Sequence, residues 1–319
     1  MLKGAIGALA LVCALASSAQ AQTYPDKPVK VIVGFSAGSG PDVIARAISA
    51  QLTNDLKQQF YVENRTGANG AIAIKSLITS EPDGYTVLYS SSSISSVPHV
   101  YKSLGHDIMK EMIPVATSGI LDGYFMLVNP STPVKSVAEF IDYAKKNRVV
   151  YGSPGVGNVL HLAAEMFKLK AGIEMEHVPF RGASDVTAAL MQGSIQVMFV
   201  TPPSVLPLVE GGQVRAIGFT GSKRFPPTPN VPLVSETVPT FPVTGSWGMF
   251  YLPQKTPKAI VDKLNAAIRT AMTSEIVDKA VVKSGYIPDN RSAEQTAEFF
   301  RKEVDAAGVA VRAARIEPN

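Results

Sequence analysis

The sequence predicts an α/β protein of two lobes, each a parallel-rich sheet flanked by helices. Three observations carry this. Short β-branched runs alternate with segments whose apolar residues recur every three or four positions, the rhythm of βαβ units. That rhythm runs once, breaks, and starts again near residue 125. A chain of 319 residues with 46% hydrophobic and 18% charged content is also long enough for two separate cores.

The chain opens with Met1-Leu2-Lys3, an apolar stretch from Ala5 to Ala16, and a small-x-small site at Ala19-Gln20-Ala21. Residues 1–21 therefore read as a secretory signal peptide, too short for a membrane span. The single cysteine, Cys13, falls within it. An exported chain beginning at Gln22 would carry no thiol and no disulfide, which suits a bacterial periplasm.

The first unit begins with a strand at Val29–Val33, closed by Gly34. The loop Phe35-Ser36-Ala37-Gly38-Ser39-Gly40 leads into a helix from Pro41-Asp42, whose apolar face is Ile44, Ala45, Ile48 and Leu52. A strand at Tyr61–Asn64, a turn at Thr66–Gly70 and a helix through Ile74, Leu77 and Ile78 follow. The strand Tyr85–Tyr89 carries the serine run Ser90–Ser93 at its carboxyl end. In the second unit, strands are expected at Phe125–Val128, Val149–Gly152, Glu176–Val178, Ile195–Val200 and Val214–Phe219. Helices fall at Val137–Lys146, Leu160–Leu169, Asp185–Met191 and Leu206–Glu210. The proline-rich stretch Phe225–Pro242 is a surface connection. A strand at Trp247–Leu252 and helices at Ile260–Met272, Ile276–Ser284 and Ala293–Ala307 close the chain and return to the first lobe. The expected division is residues 22–122 plus 247–319 for one lobe and 123–246 for the other.

Several function classes are disfavoured. The formal charge of +4 is mild and its Lys and Arg are scattered, so no nucleic-acid partner is expected. No H-E-x-x-H or C-x-x-C spacing exists, so no metal is expected. Gly155-Val156-Gly157 is an incomplete dinucleotide fingerprint, with Leu160 where a small residue belongs, and no cofactor is expected. Gly34-Phe35-Ser36-Ala37-Gly38 matches the nucleophile elbow of a hydrolase. None of the four histidines, His99, His106, His161 and His177, comes late in the chain, where that fold puts its base. A serine hydrolase using Ser36 is the enzymatic alternative, and a non-enzyme is the preferred reading.

Doubly wound sheets bind ligands at the carboxyl ends of their strands. Candidate ligand-binding residues are accordingly Phe35, Ser36, Ala37, Gly38 and Ser39 with Asp42, then Ser91 and Ser92. In the second unit they are Ser153, Gly157, Asn158 and His161, followed by Arg181, Ser184 and Thr201. Both glycine-rich loops open a helix, where backbone N–H groups face an anion. Asp42 caps the first of these helices. Arg181 is the sharpest candidate cation.

Five blocks carry a resemblance to one family. They are Tyr24-Pro25-Asp26-Lys27-Pro28-Val29 with Gly38–Arg46, Glu63–Ala68, Pro82-Asp83-Gly84-Tyr85-Thr86, Tyr151–Leu162 and His177–Gly182. Trp247-Gly248 and the helix from Thr256-Pro257 to Leu264-Asn265 agree as well. The whole exported chain resembles the Bug-type (TctC-like) receptors of the tripartite tricarboxylate transporter system. The resemblance implies a type II periplasmic-binding-protein, or Venus-flytrap, fold. It implies a monomeric periplasmic receptor that takes a small carboxylate (a di- or tricarboxylate, an amino acid or an aromatic acid) for a membrane permease of that system. A ligand-dependent partner of a sensor kinase is the alternative on the same fold. In the family, loop amides and bridging waters hold a ligand carboxylate, which maps here onto Phe35–Ser39 and Ser153–Asn158. Ala37-Gly38-Ser39 and Leu104-Gly105-His106-Asp107 depart from the family's usual proline–glycine and Leu-Pro-Tyr-Asp.

Overall fold

The computed structural model describes residues 24–281 and 286–318. The signal-peptide reading of residues 1–21, Cys13 included, lies outside them, as does the end of the helix expected to reach Ser284. The chain forms β1 (Val29–Val33), α1 (Gly40–Leu56), β2 (Phe60–Asn64), α2 (Ala71–Ile78) and β3 (Thr86–Ser91). A 3₁₀ turn at Ser92–Ser96 runs into the short α3 (Val97–Val100) and α4 (Ile108–Glu111), and then β4 (Met112–Leu121). The alternation in β1 covers both faces of its sheet. Val29, Val31 and Val33 pack with Ile44, Ile48 and Leu52 of α1, while Ile32 packs with Ile74 and Leu77 of α2.

The second unit contains β5 (Phe125–Val128), α5 (Val137–Ala144), β6 (Val150–Ser153), α6 (Val159–Ala171), β7 (Glu176–Pro179), α7 (Ala183–Met191), β8 (Val197–Val200), α8 (Leu206–Glu210) and β9 (Arg215–Phe219). After α9 (Val234–Thr237) the chain returns through β10 (Ser246–Pro253), α10 (Lys258–Ala271), α11 (Glu275–Val281), β11 (Tyr286–Ile287) and α12 (Ala293–Ala313).

Two sheets result, ordered β11-β4-β10-β3-β1-β2 and β7-β6-β8-β5-β9. In each, the central strand pairs parallel on both sides, β1 with β2 and β3, and β6 with β7 and β8. A reversed strand comes next, β10 in one sheet and β5 in the other, antiparallel to both its neighbours; the edge strand β11 of the six-stranded sheet is reversed as well, antiparallel to β4. Both sheets are therefore mixed and, leaving out β11, share the same order of equivalent strands.

The short α3, α4, α9 and β11 were not expected, and the stretch Phe225–Pro242, expected on the surface, buries Phe225, Val234, Val238 and Phe241 in the core. Two longer elements differ as well. The ten-residue β4 was not expected. Pro114 and two register shifts against β10 break its period-two pattern, so no clean alternation marks it. Helix α12 runs on to Ala313 rather than stopping at Ala307, because Gly308 does not end it. A side chain at Gly308 would sit 2.6 Å from the His99 ring, which bonds the Val304 carbonyl at 2.8 Å.

The chain passes between the sheets twice, at residues 122–124 and 242–245. The Tyr124 amide donates to the Thr220 hydroxyl, which donates to the Thr244 carbonyl, each at 2.8 Å. The Tyr124 hydroxyl donates to the Gly245 carbonyl. Two crossings tied side by side are the construction of a hinge.

Candidate functional site

Six loops, three from each sheet, enclose one cavity between the lobes. The loops after β1, β2 and β3 face those after β6, β7 and β8, so the carboxyl ends of both parallel units point at the same space. The lobes are in direct contact around it. Asn158 Nδ2 donates to Asn69 Oδ1 at 2.9 Å, the Ser96 hydroxyl donates to the Gly157 carbonyl at 2.6 Å, and the Tyr101 hydroxyl donates to the Val156 carbonyl at 2.9 Å. Outside the cavity, Val100, Leu162 and Val311 form a small apolar cluster that also spans the lobes. The clamp is closed, and the space left inside is about 50 Å³. That is several times the room one water needs.

The first lobe presents open polar groups. The hydroxyls of Ser36 and Ser39 are shielded from solvent and have no hydrogen-bond partner among the described residues. Ser39 is only 4% exposed and occupies the N-cap of α1, yet its side chain caps no amide. An unsatisfied buried hydroxyl costs about 1–3 kcal/mol; Ser49, Thr228, Thr244 and Tyr251 carry such oxygens elsewhere in the fold, and Ser36 and Ser39 are the two at the cavity. Phe35 lines the same wall. Ala37 and Gly38 do not, because both are exposed at the loop tip, where Gly38 turns the chain with φ +77°.

Asp42 also lies off the cavity, and it does not cap the helix as expected. Its carboxylate accepts from the Gly38 amide at 2.9 Å, from Arg46 and from Asn64, bracing the loop from behind. Burial pushes this carboxyl upward, but the bonds from Arg46, Asn64 and Gly38 outweigh burial and hold it below the usual carboxylate range. Of the serine run, Ser91 and Ser93 line the cavity. Ser92 turns instead toward Ser246, 2.9 Å away.

The second lobe is largely satisfied within itself. Ser153 is fully buried off the cavity, with its hydroxyl 2.6 Å from His177 Nε2. The Gly157 amide, expected to face an anion, donates to His161 Nδ1 at 3.0 Å. His161 therefore supports the loop and does not reach the cavity. Its ring stacks on His177 at 3.9 Å between centroids and on Tyr151. Burial, then the neighbouring His177, pushes His161 down to about 3. Burial, then Lys168, pushes His177 down to about 4. Both rings are neutral at pH 7. Asn158 does line the cavity, and its Oδ1 caps α6 by accepting from the Leu160 amide at 3.0 Å.

Arg181 and Thr201 line the cavity, while Ser184 is exposed on the first turn of α7 and does not. Arg181 makes no hydrogen bond or ion pair among the described residues, and its neighbour Gly182 faces Ser36 so closely that a Cβ there would lie 2.9 Å from the Ser36 hydroxyl. Ser36 and the Arg181 turn are thus the two jaws. None of the four histidines lines the cavity, so Ser36 has no base beside it. Sequence reasoning missed Asn69, Ser204 and Ser246, and within the run Ser90–Ser93 it picked Ser91 and Ser92 rather than Ser93. Asn69 sits in the left-handed region at φ 53°, in the loop after β2. That loop ends a parallel strand just as the favoured ones do, which was the available signal.

Comparison with known proteins bears on the family and the fold. The family model described as the tripartite tricarboxylate transporter family receptor matches residues 44–315. The chain is 30% identical over 314 residues to the protein BugT of Bordetella pertussis, covering 95% of this chain and 94% of that one. Among solved structures it resembles R. palustris Rpa4515 with adipate, at 29% identity and a TM-score of 0.88, covering 93% of this chain and all of that one. It also resembles MatC from Rhodopseudomonas palustris with bound malate, at 26% identity and a TM-score of 0.84, over 90% of this chain and all of that one. The chain belongs to the tripartite tricarboxylate transporter receptor family as a Bug-type member, among solute-binding proteins rather than enzymes.

Proposed function

We propose that this protein is a periplasmic receptor that closes on a small carboxylate and delivers it to a tripartite tricarboxylate-type permease. The lobes would be residues 22–122 with 247–319, and 123–246. One observation carries the reading: two buried hydroxyls without partners, Ser36 and Ser39, face an unpaired arginine across a closed interlobe cavity. Ser91, Asn158 and Thr201 complete the polar wall. Adipate and malate in two related structures support a carboxylate as the ligand. The ligand touches both jaws only in the closed state, so binding draws the equilibrium toward closure. No helix among the described residues is long and apolar enough to cross a membrane.

The test is a thermal-shift screen of mono-, di-, tri- and aromatic carboxylates, followed by small-angle scattering of the protein with each binder. A binder is expected to raise Tm and reduce the radius of gyration. Absence of any carboxylate binder, or saturation with no compaction, would defeat the clamp reading.

A further inference from the structure

The cavity lining carries charge of one sign only. Arg181 is its single ionisable side chain among the described residues, and no aspartate or glutamate reaches it. The acids of the neighbouring loops are engaged or turned away. Asp42 is tied to Arg46, Asn64 and the Gly38 amide, and Glu63 pairs with Arg65. Asp185, on the first turn of α7, is exposed and off the lining. Three helices also begin on this cavity, α1, α6 and α7, of 17, 13 and 9 residues. Their N-terminal partial charges add to the guanidinium. The unpartnered oxygens of Ser36 and Ser39, the latter nine-tenths buried, belong to neutral hydroxyls that can donate to an anion.

We infer that this receptor rejects ligands bearing an ammonium group, so that its substrates are carboxylates without an amino substituent and amino acids are excluded. The inference rests on the carboxylate-receptor reading above. An ammonium taken out of water needs acceptors, and a carboxylate above all. Here its three donors would meet a guanidinium, helix N-termini and neutral hydroxyl and amide oxygens such as those of Ser91, Asn158 and Thr201, but no carboxylate. The Ser36 and Ser39 oxygens could accept from it, but only by turning their protons away from the ligand carboxylate. The discrimination therefore comes from the sign of the field and does not depend on the length of the carbon skeleton.

Calorimetry at pH 7.5 on matched pairs tests this: succinate with aspartate, glutarate with glutamate, and 3-phenylpropanoate with phenylalanine. In any pair that contains a binder, the amine-free acid is expected to bind at least about tenfold tighter, the equivalent of roughly 1.4 kcal/mol. An amino acid binding as well as its partner, or within less than that margin, would overturn the inference while leaving a carboxylate receptor intact. Failure of all six compounds, in a protein that also binds no other carboxylate, would overturn the receptor reading and this inference with it. A second arm places an acid on the lining with Thr201→Asp. The ratio within the pair should shrink or reverse, and an unchanged ratio would remove the electrostatic account.

Discussion

The loops after the central strand of each lobe, residues 34–40 and 153–158, are alike in composition and opposite in construction. Both are rich in glycine and serine, both follow a buried parallel strand, and both open a helix. In the first loop the polar side chains are left open, with Ser36 and Ser39 unpartnered at the cavity. In the second the polar groups are committed. Ser153 is held by His177, the Gly157 amide by His161, the Gly157 carbonyl by Ser96, and Asn158 by Leu160 and Asn69. On the function proposed, the first loop receives the ligand and the second is a braced platform that closes onto it. The bracing residue His177 lies 24 positions from Ser153, which is why composition within the loops cannot tell them apart.

The largest expected effect is on the brace. His161→Ala removes a buried ring from a stack and leaves the Gly157 amide without its acceptor, at a cost of about 3 kcal/mol in folding stability. The brace also fixes a pH dependence. The folded-state pKa of His161 is depressed to about 3, below its unfolded value. Protons therefore bind the unfolded chain first as pH falls. Stability should be complete above about pH 6.5 and decline toward pH 3, by up to roughly 1.4 kcal/mol per pH unit for a buried imidazole. The facing groups, His177, Lys168, Glu165 and Tyr151, set how steep the decline is. Urea unfolding at pH 7.5 and pH 5 measures it, and His161→Gln should reduce the difference to the share left by His177. Equal wild-type stability at both pH values would contradict a neutral, buried stack.

Arg181 belongs to neither loop and tests the opposite jaw. It pairs with nothing in the closed structure, so Arg181→Ala should leave unfolding within about 0.5 kcal/mol of the parent. Ligand affinity should fall by about 1.5–3 kcal/mol, as for a charge-assisted bond. Arg181→Lys should recover part of this, keeping the charge but losing the planar fork. Calorimetry and urea unfolding on the same preparations separate the two effects. A stability loss equal to the affinity loss would make Arg181 a structural residue.

Much of the fold was legible because βαβ units announce themselves through two periodicities. Val29–Val33 and Ile44, Ile48 and Leu52 fell where the pattern put them. The missing strand β4 shows the limit, since its bulges against β10 erase the alternation that marks a strand. The site was legible at the level of loops, because strand carboxyl ends converge in this architecture. It was not legible at the level of side-chain direction. Ser36, Ser39, Ser91, Asn158, Arg181 and Thr201 reach the cavity, whereas Ser92, Ser153, Gly157 and His161 spend their polar groups elsewhere. Which way a hydroxyl turns depends on partners such as Ser246 and His177, far away in sequence.

The smallest effect is the sharpest test of the comparison between the loops, because it predicts opposite signs for one chemical change. Ser36→Ala and Ser39→Ala each delete a hydroxyl that is buried and has no partner among the described residues. Without ligand, stability should stay level or rise by up to about 1 kcal/mol, since an unmet polar group is removed. With ligand, each variant should lose about 0.5–1.5 kcal/mol of affinity, the worth of one neutral hydrogen bond. Ser153→Ala deletes the same atom from a site where it bonds His177 at 2.6 Å and the Gly155 carbonyl at 3.0 Å. It should lose about 1 kcal/mol of stability and little affinity, because Ser153 never faces the ligand. Urea unfolding and calorimetry on all three variants supply both axes. If Ser36→Ala and Ser153→Ala fell on the same side of the parent along both, the division between a receptive loop and a braced one would collapse.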